Sequence, residues 1–119
     1  MLVRTPEPEA RLSVKLKSPW DKSAAWARIL TDGRLELELY DFSPEAQAHM
    51  GNDVAWLYRV EPAHKPKLCE LLEKRTGASM ANDETLLHVL ARSFAHVHAI
   101  RDWLRENTIP FEEEFDSWA

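Results

Sequence analysis

Residues 26–39, WARILTDGRLELEL, set two apolar-rich runs on either side of an Asp-Gly pair. In the second run Leu35, Leu37 and Leu39 alternate with Glu36 and Glu38, which is the period of a strand with one dry and one wet face. Thr31-Asp32-Gly33-Arg34 supplies a tight turn between the runs, because glycine accepts the positive φ that such turns require. The reading is a β-hairpin. With a two-residue turn, Leu30 is expected to face Leu35, Arg28 to face Leu37 and Trp26 to face Leu39. One side of the hairpin would then collect four leucines and a tryptophan, and Arg28 would have to reach out of it.

Working outward, Asp41-Phe42-Ser43-Pro44-Glu45 ends the second strand and starts a short helix. Ser43 serves as its N-cap, Pro44 takes the first helical position, and Glu45 lies near the positive end of the helix. Gly51 stops that helix, and Asn52-Asp53 turns the chain into residues 54–60. There Val54, Trp56, Tyr58 and Val60 share one face and Ala55, Leu57 and Arg59 the other, so a central strand with two apolar faces is expected. A helix is predicted from about Pro66 to Arg75, before Gly77, with Leu68, Leu71 and Leu72 inward. After Asn82 or Asp83, the residues Leu86, Leu87, Leu90, Phe94, Val97, Ile100 and Leu104 recur at helical spacing. Two helices broken near residues 93–95 fit better than a single helix longer than the sheet it must cover.

Upstream of the hairpin, Leu12, Val14 and Leu16 alternate with Ser13, Lys15 and Lys17, which predicts a first strand ended by Ser18-Pro19. Trp20 follows in a loop as a lid over the core edge. Residues 1–10, with Pro6 and Pro8, read as a flexible leader to a single domain over residues 11–119. At the other end, Phe111 and Phe115 alternate with Glu112, Glu114 and Asp116, as in a charged edge strand. The expected fold is α+β: an antiparallel sheet of four to five strands with two to three helices packed on one face.

A chain of 119 residues buries a core without disulfides or a structural metal. Cys69 is alone, and no apolar run reaches the length of a signal sequence core or a membrane span. A reducing, cytoplasmic setting is expected. The net charge of −5 argues against nucleic acid as a partner and is compatible with a basic protein. With 3 glycines and 5 scattered tryptophans the chain has neither low-complexity segments nor repeats.

Three groups of residues bear on chemistry. His98 and Asp102 stand four apart on a predicted helix with His96 and His88 nearby, a spacing that suits a shared metal. However, His96 and His98 point to different helical faces and no HExxH or CxxC motif accompanies them, so a solvated helix surface without metal is expected. Asp41, Glu45 and Asp53 sit at strand ends, where each has a structural task; their alternative use is acid-base or cation chemistry. Cys69 reads as a small hydrophobe. With no nucleophile elbow, phosphate loop or dinucleotide fingerprint, neither catalytic residues nor a cofactor are expected. The third group is the tail: Glu112, Glu113, Glu114 and Asp116 would steer a basic partner, and Phe115 and Trp118 would anchor it.

The order of these features carries a resemblance. Residues 35–41, Gly51-Asn52-Asp53 with Trp56 and Tyr58, and Val60-Glu61 before a leucine-rich helix are followed by Phe94, Ile109-Pro110-Phe111 and Trp118. Over roughly residues 30–118 this order resembles a group of small bacterial proteins similar to immunity proteins of polymorphic or contact-dependent toxin systems. The chain departs from that pattern after Asp53, where Val54-Ala55 replace an acidic residue and an aromatic. The resemblance implies a non-enzymatic inhibitor that occludes the active site of a cognate toxin, with Asp41 and Asp53 joining the tail as contact residues. The alternatives are a small metal-dependent hydrolase using Asp41, Asp53 and a histidine, or an adaptor subunit.

Overall fold

In the computed structural model of the chain, which describes residues 9–44 and 53–117, five strands pair antiparallel in the order of the sequence. They are β1 (Ala10–Leu16), β2 (Ser23–Leu30), β3 (Leu35–Asp41), β4 (Val54–Val60) and β5 (Glu112–Ser117). Three α-helices, α1 (Lys65–Thr76), α2 (Asp83–Ser93) and α3 (Val97–Glu106), come between β4 and β5. The fold is α+β. No helix among the described residues is long and apolar enough to cross a membrane.

The hairpin forms, but its register is one residue away from the two-residue expectation. Gly33 N–H donates to the Leu30 carbonyl and Leu30 N–H donates to the Arg34 carbonyl, both at 2.9 Å, so Thr31, Asp32 and Gly33 all belong to the loop. Gly33 takes φ +92°, as expected for a three-residue loop that ends in a left-handed glycine. Because side chains alternate with period two, the extra loop residue turns the whole of β2 over. Ile29, Ala27 and Ala25 therefore face Leu35, Leu37 and Leu39, while Arg28 faces Glu36 and Trp26 faces Glu38. Arg28 has no need to escape a leucine surface, since its neighbours are carboxylates.

The register continues across the sheet. Leu16, Ala25, Leu39, Trp56 and Phe115 form one row, and Val14, Ala27, Leu37, Tyr58 and Glu113 the next. The apolar members of these rows meet Leu68, Leu72, Leu86, Leu90, Val97, Ile100 and Leu104 in one core. Small alanines on β2 beside leucines on β3 leave room for α2, which packs on β1 and β2, while α3 lies on β3. Each helix begins or ends where its sequence says it should. Gly77 closes α1 at φ +75°, and Asn82 Oδ1 accepts the Thr85 N–H at 2.8 Å to cap α2. The break between α2 and α3 falls at Phe94, which is extended and buried. Val97 N–H then donates to the Lys17 carbonyl at 3.1 Å, tying the start of α3 to the end of β1. Lys65 Nζ donates to the Gly33 carbonyl and pairs with Asp83, each at 3.0 Å, so one side chain joins the hairpin loop to the start of α2.

The other sheet face carries an ionic ladder. Arg28 lies 3.0 Å from Glu38 and 3.5 Å from Glu36, and Arg59 lies 2.9 Å from Glu36 and 2.6 Å from Glu114. Glu36 and Arg59 are buried, as are Ala55 and Leu57 on the same face, so β4 is covered on both sides as its composition implies. The short helix expected to follow Ser43, which includes Glu45, and most of the expected leader lie outside the described residues, and so does Trp118.

At the end of α3, Thr108 N–H donates to the Arg105 carbonyl and Ile109 N–H to the Leu104 carbonyl, with Ile109 buried. This is a Schellman closure, but a β-branched threonine occupies its left-handed position at φ 51°. Thr108→Gly should therefore raise unfolding stability by about 1 kcal/mol, read from the urea midpoint; an unchanged or lower midpoint would show that the threonine is not strained. Arg59→Ala should cost about 3 kcal/mol, because it leaves Glu36 buried without its closest cation. A loss below about 1 kcal/mol in the same assay would mean the ladder behaves as a surface salt bridge.

Candidate functional site

β5 pairs with β4 along one side, and among the described strands none lies beyond it. Its residues alternate between two faces. Glu113 and Phe115 point to the helix side in the rows of Tyr58 and Trp56, while Glu112, Glu114 and Asp116 point with Arg59, Leu57 and Ala55 to the ladder side. Phe115 is 46 % exposed, although a phenylalanine in this row would be expected to sink into the core. Its ring lies 5.4 Å from Trp56, Trp56 lies 6.3 Å from Trp20 edge-on, and Trp20 lies 5.6 Å from His98. The result is a strip of four rings crossing the end of the sheet from β5 to the first turn of α3.

Trp20 reaches this strip from the loop between β1 and β2. Ser23 Oγ donates to the Trp20 carbonyl, and Lys22 adopts φ 59° to reverse the chain. Expected as a lid over the core edge, the tryptophan is instead 39 % exposed and meets the rings of Trp56 and His98. Edge-on and tilted contacts of this kind are the arrangements that the ring quadrupoles favour.

The tail carboxylates are held in place. Arg105 Nη2 lies 3.0 Å from Glu113, and Arg59 Nη1 lies 2.6 Å from Glu114. Glu112 lies opposite Arg59 in the register. Glu112, Glu113 and Glu114 are exposed and Asp116 is half-buried, so the free edge is lined with negative charge.

Asp41 borders the aromatic strip, lining a surface pocket together with Trp20, Lys22 and Ser43. Asp41 is buried and turns back on its own chain, accepting the Ser43 N–H at 2.9 Å. Asp53 accepts the Tyr40 hydroxyl at 2.6 Å, a bond that, with burial, pushes the Tyr40 phenol up to about 12. Among the described residues no three His, Cys, Asp or Glu side chains converge as a metal site. Cys69 is half-buried and burial pushes its thiol up, away from the thiolate that a nucleophile requires.

No protein-family model, curated protein or solved structure matches this chain. The surface therefore has to be read from its own residues.

His96 and His98 differ from a plain solvated helix surface, whereas His88 is exposed on α2 as expected. His96 caps α3, its Nδ1 accepting the Ala99 N–H at 3.3 Å, while His98 is half-buried against Trp20. The sequence marks Phe115, Trp20, Trp56 and His98 for separate roles and gives no sign that the four meet. Trp56 stands directly opposite Phe115 in a pairing whose register no turn sets, because three helices separate β4 from β5. Burial pulls the His98 imidazole below its ordinary value of 6.5, and the nearby Arg101 and His96 charges act in the same direction against Asp102 and Glu113.

The sign of the pH dependence follows. As pH falls below about 6.5 the unfolded chain takes up this proton before the folded one, so stability is full above that value and declines through the window down to the lowered native pKa. Urea midpoints measured from pH 8 to pH 5 should fall on acidification, and His98→Gln should reduce that fall. An identical slope in the variant would assign the acid sensitivity elsewhere.

Proposed function

We propose that this protein acts by binding another protein, and that the outer edge of β5 with the neighbouring aromatic strip is the binding surface. The observation that carries the reading is Phe115, a half-exposed ring in tilted contact with Trp56 and flanked in sequence by carboxylates. Rigid aromatics lose little side-chain freedom on binding and dominate the energy of interfaces. The exposed Glu112, Glu113 and Glu114 add long-range attraction for a basic partner and so raise association rates. A standard interface takes about 800 Å² from each partner, which an edge strand and its flanking loops can supply.

The likeness in element order to immunity proteins gives the partner a class. On this reading the partner is a basic bacterial toxin, the surface covers its active site or substrate groove, and the two meet in the cytoplasm.

The test is co-expression with the product of the adjacent gene, scored by rescue of growth, followed by binding kinetics on the purified pair. Glu112→Lys, Glu113→Lys and Glu114→Lys together should slow association at least tenfold at low salt and flatten its salt dependence. Phe115→Ala should mainly speed dissociation. Unchanged kinetics in both variants would remove this surface from the interaction.

A further inference from the structure

Resting on that reading, we infer that the partner docks as an added β-strand on the outer side of β5, through a segment in which basic residues alternate with others. Three observations converge on it. The outer side of β5 has no neighbour among the described strands, so its outward main-chain N–H and C=O groups are a template for one more strand. The two faces of β5 differ in chemistry, so an added strand must differ in the same way to match it. The edge also carries carboxylates oriented by ion pairs, Arg59 with Glu114 and Arg105 with Glu113.

The register specifies the segment. Residues opposite Glu112, Glu114 and Asp116 lie on the ladder side, where Glu112 and Glu114 are exposed carboxylates along the edge. Lysine or arginine fits there. The residue opposite Phe115 lies on the helix side next to the exposed ring, where an aliphatic or aromatic side chain continues the strip formed with Trp56 and Trp20. Opposite Glu113, Arg105 already occupies the space above the strand, so a small polar residue fits. Antiparallel to β5, the segment reads basic, apolar, basic, polar, basic.

Charge also disfavours the symmetric alternative. Two β5 edges paired antiparallel would set carboxylates against carboxylates, which is destabilising. The same charges that block self-pairing select a basic strand.

The test uses the full chain, labelled with nitrogen-15, and four synthetic heptapeptides at low salt. One peptide alternates, Thr-Lys-Val-Lys-Thr-Lys-Thr; a second has the same composition with its lysines consecutive; two more carry backbone N-methyl groups on the odd or on the even residues of the first. The alternating peptide should bind at least tenfold more tightly than the consecutive one and shift the amide signals of residues 112–117. Only one N-methylated form should retain binding, because only alternate amides face the edge. Phe115→Ala should weaken the alternating peptide.

Equal binding of the first two peptides, retention by both N-methylated forms, or no binding at all would overturn strand addition. If the Lys and Phe115 variants still impair the protein partner in that case, the docking surface stands and only the mode of docking fails. Concentration-dependent self-association abolished by Lys15→Glu would assign the edge to β1 of a second copy, where exposed Lys15 and Lys17 flank Leu16, and would overturn a foreign partner.

Discussion

The pairing of Ile29, Ala27 and Ala25 with Leu35, Leu37 and Leu39 is the constraint on which the rest of the molecule depends. It assembles a continuous apolar surface for the helices, with small residues on one strand and large ones on the next. It also sends Arg28, Glu36 and Glu38 to the other face. Sliding the pairing by one residue would place Arg28 among leucines and set Ile29 and Ala27 against glutamates. Charge burial and hydrophobic burial therefore penalise the same error, and the register is specified twice.

The ionic ladder that results has two consequences. Removing Glu36 and Arg59 from water is costly, and the pair offsets that cost only because its geometry is close and shared with Arg28 and Glu114. Its role is better understood as fixing register than as adding stability. Through Arg59 the ladder also reaches β5, where it pairs with Glu114. The residues on which the binding proposal rests are thus continuous with those that define the sheet. Phe115 lies in the same row as Leu39 and Trp56, and the carboxylates beside it are the last rungs of the ladder.

Much of this architecture was legible because it rests on local rules. The alternation of Leu12, Val14 and Leu16, the glycine after Thr76, the cap at Asn82 and the helix break at Phe94 each follow from a few neighbouring residues. The hairpin register was not legible from its turn. Asp-Gly serves both a two-residue loop and a three-residue loop ending in a left-handed glycine, and the choice falls to packing against β1, β4 and the helices. The aromatic strip was hidden for the same reason. Trp20, Trp56, His98 and Phe115 come from four separate segments, and nothing local in any of them indicates that they meet.

The sequence by itself determined most of the elements among the described residues, an antiparallel sheet with helices between its last two strands, and the charged character of the last strand, since periodicity, caps and breakers act over a few residues. Only the tertiary structure decided which face each strand turns inward, which charges pair, and that four distant rings line the end of the sheet. Those outcomes depend on the sum of contacts across the sheet. A single loop residue, too small a difference to read from the chain, reverses them all.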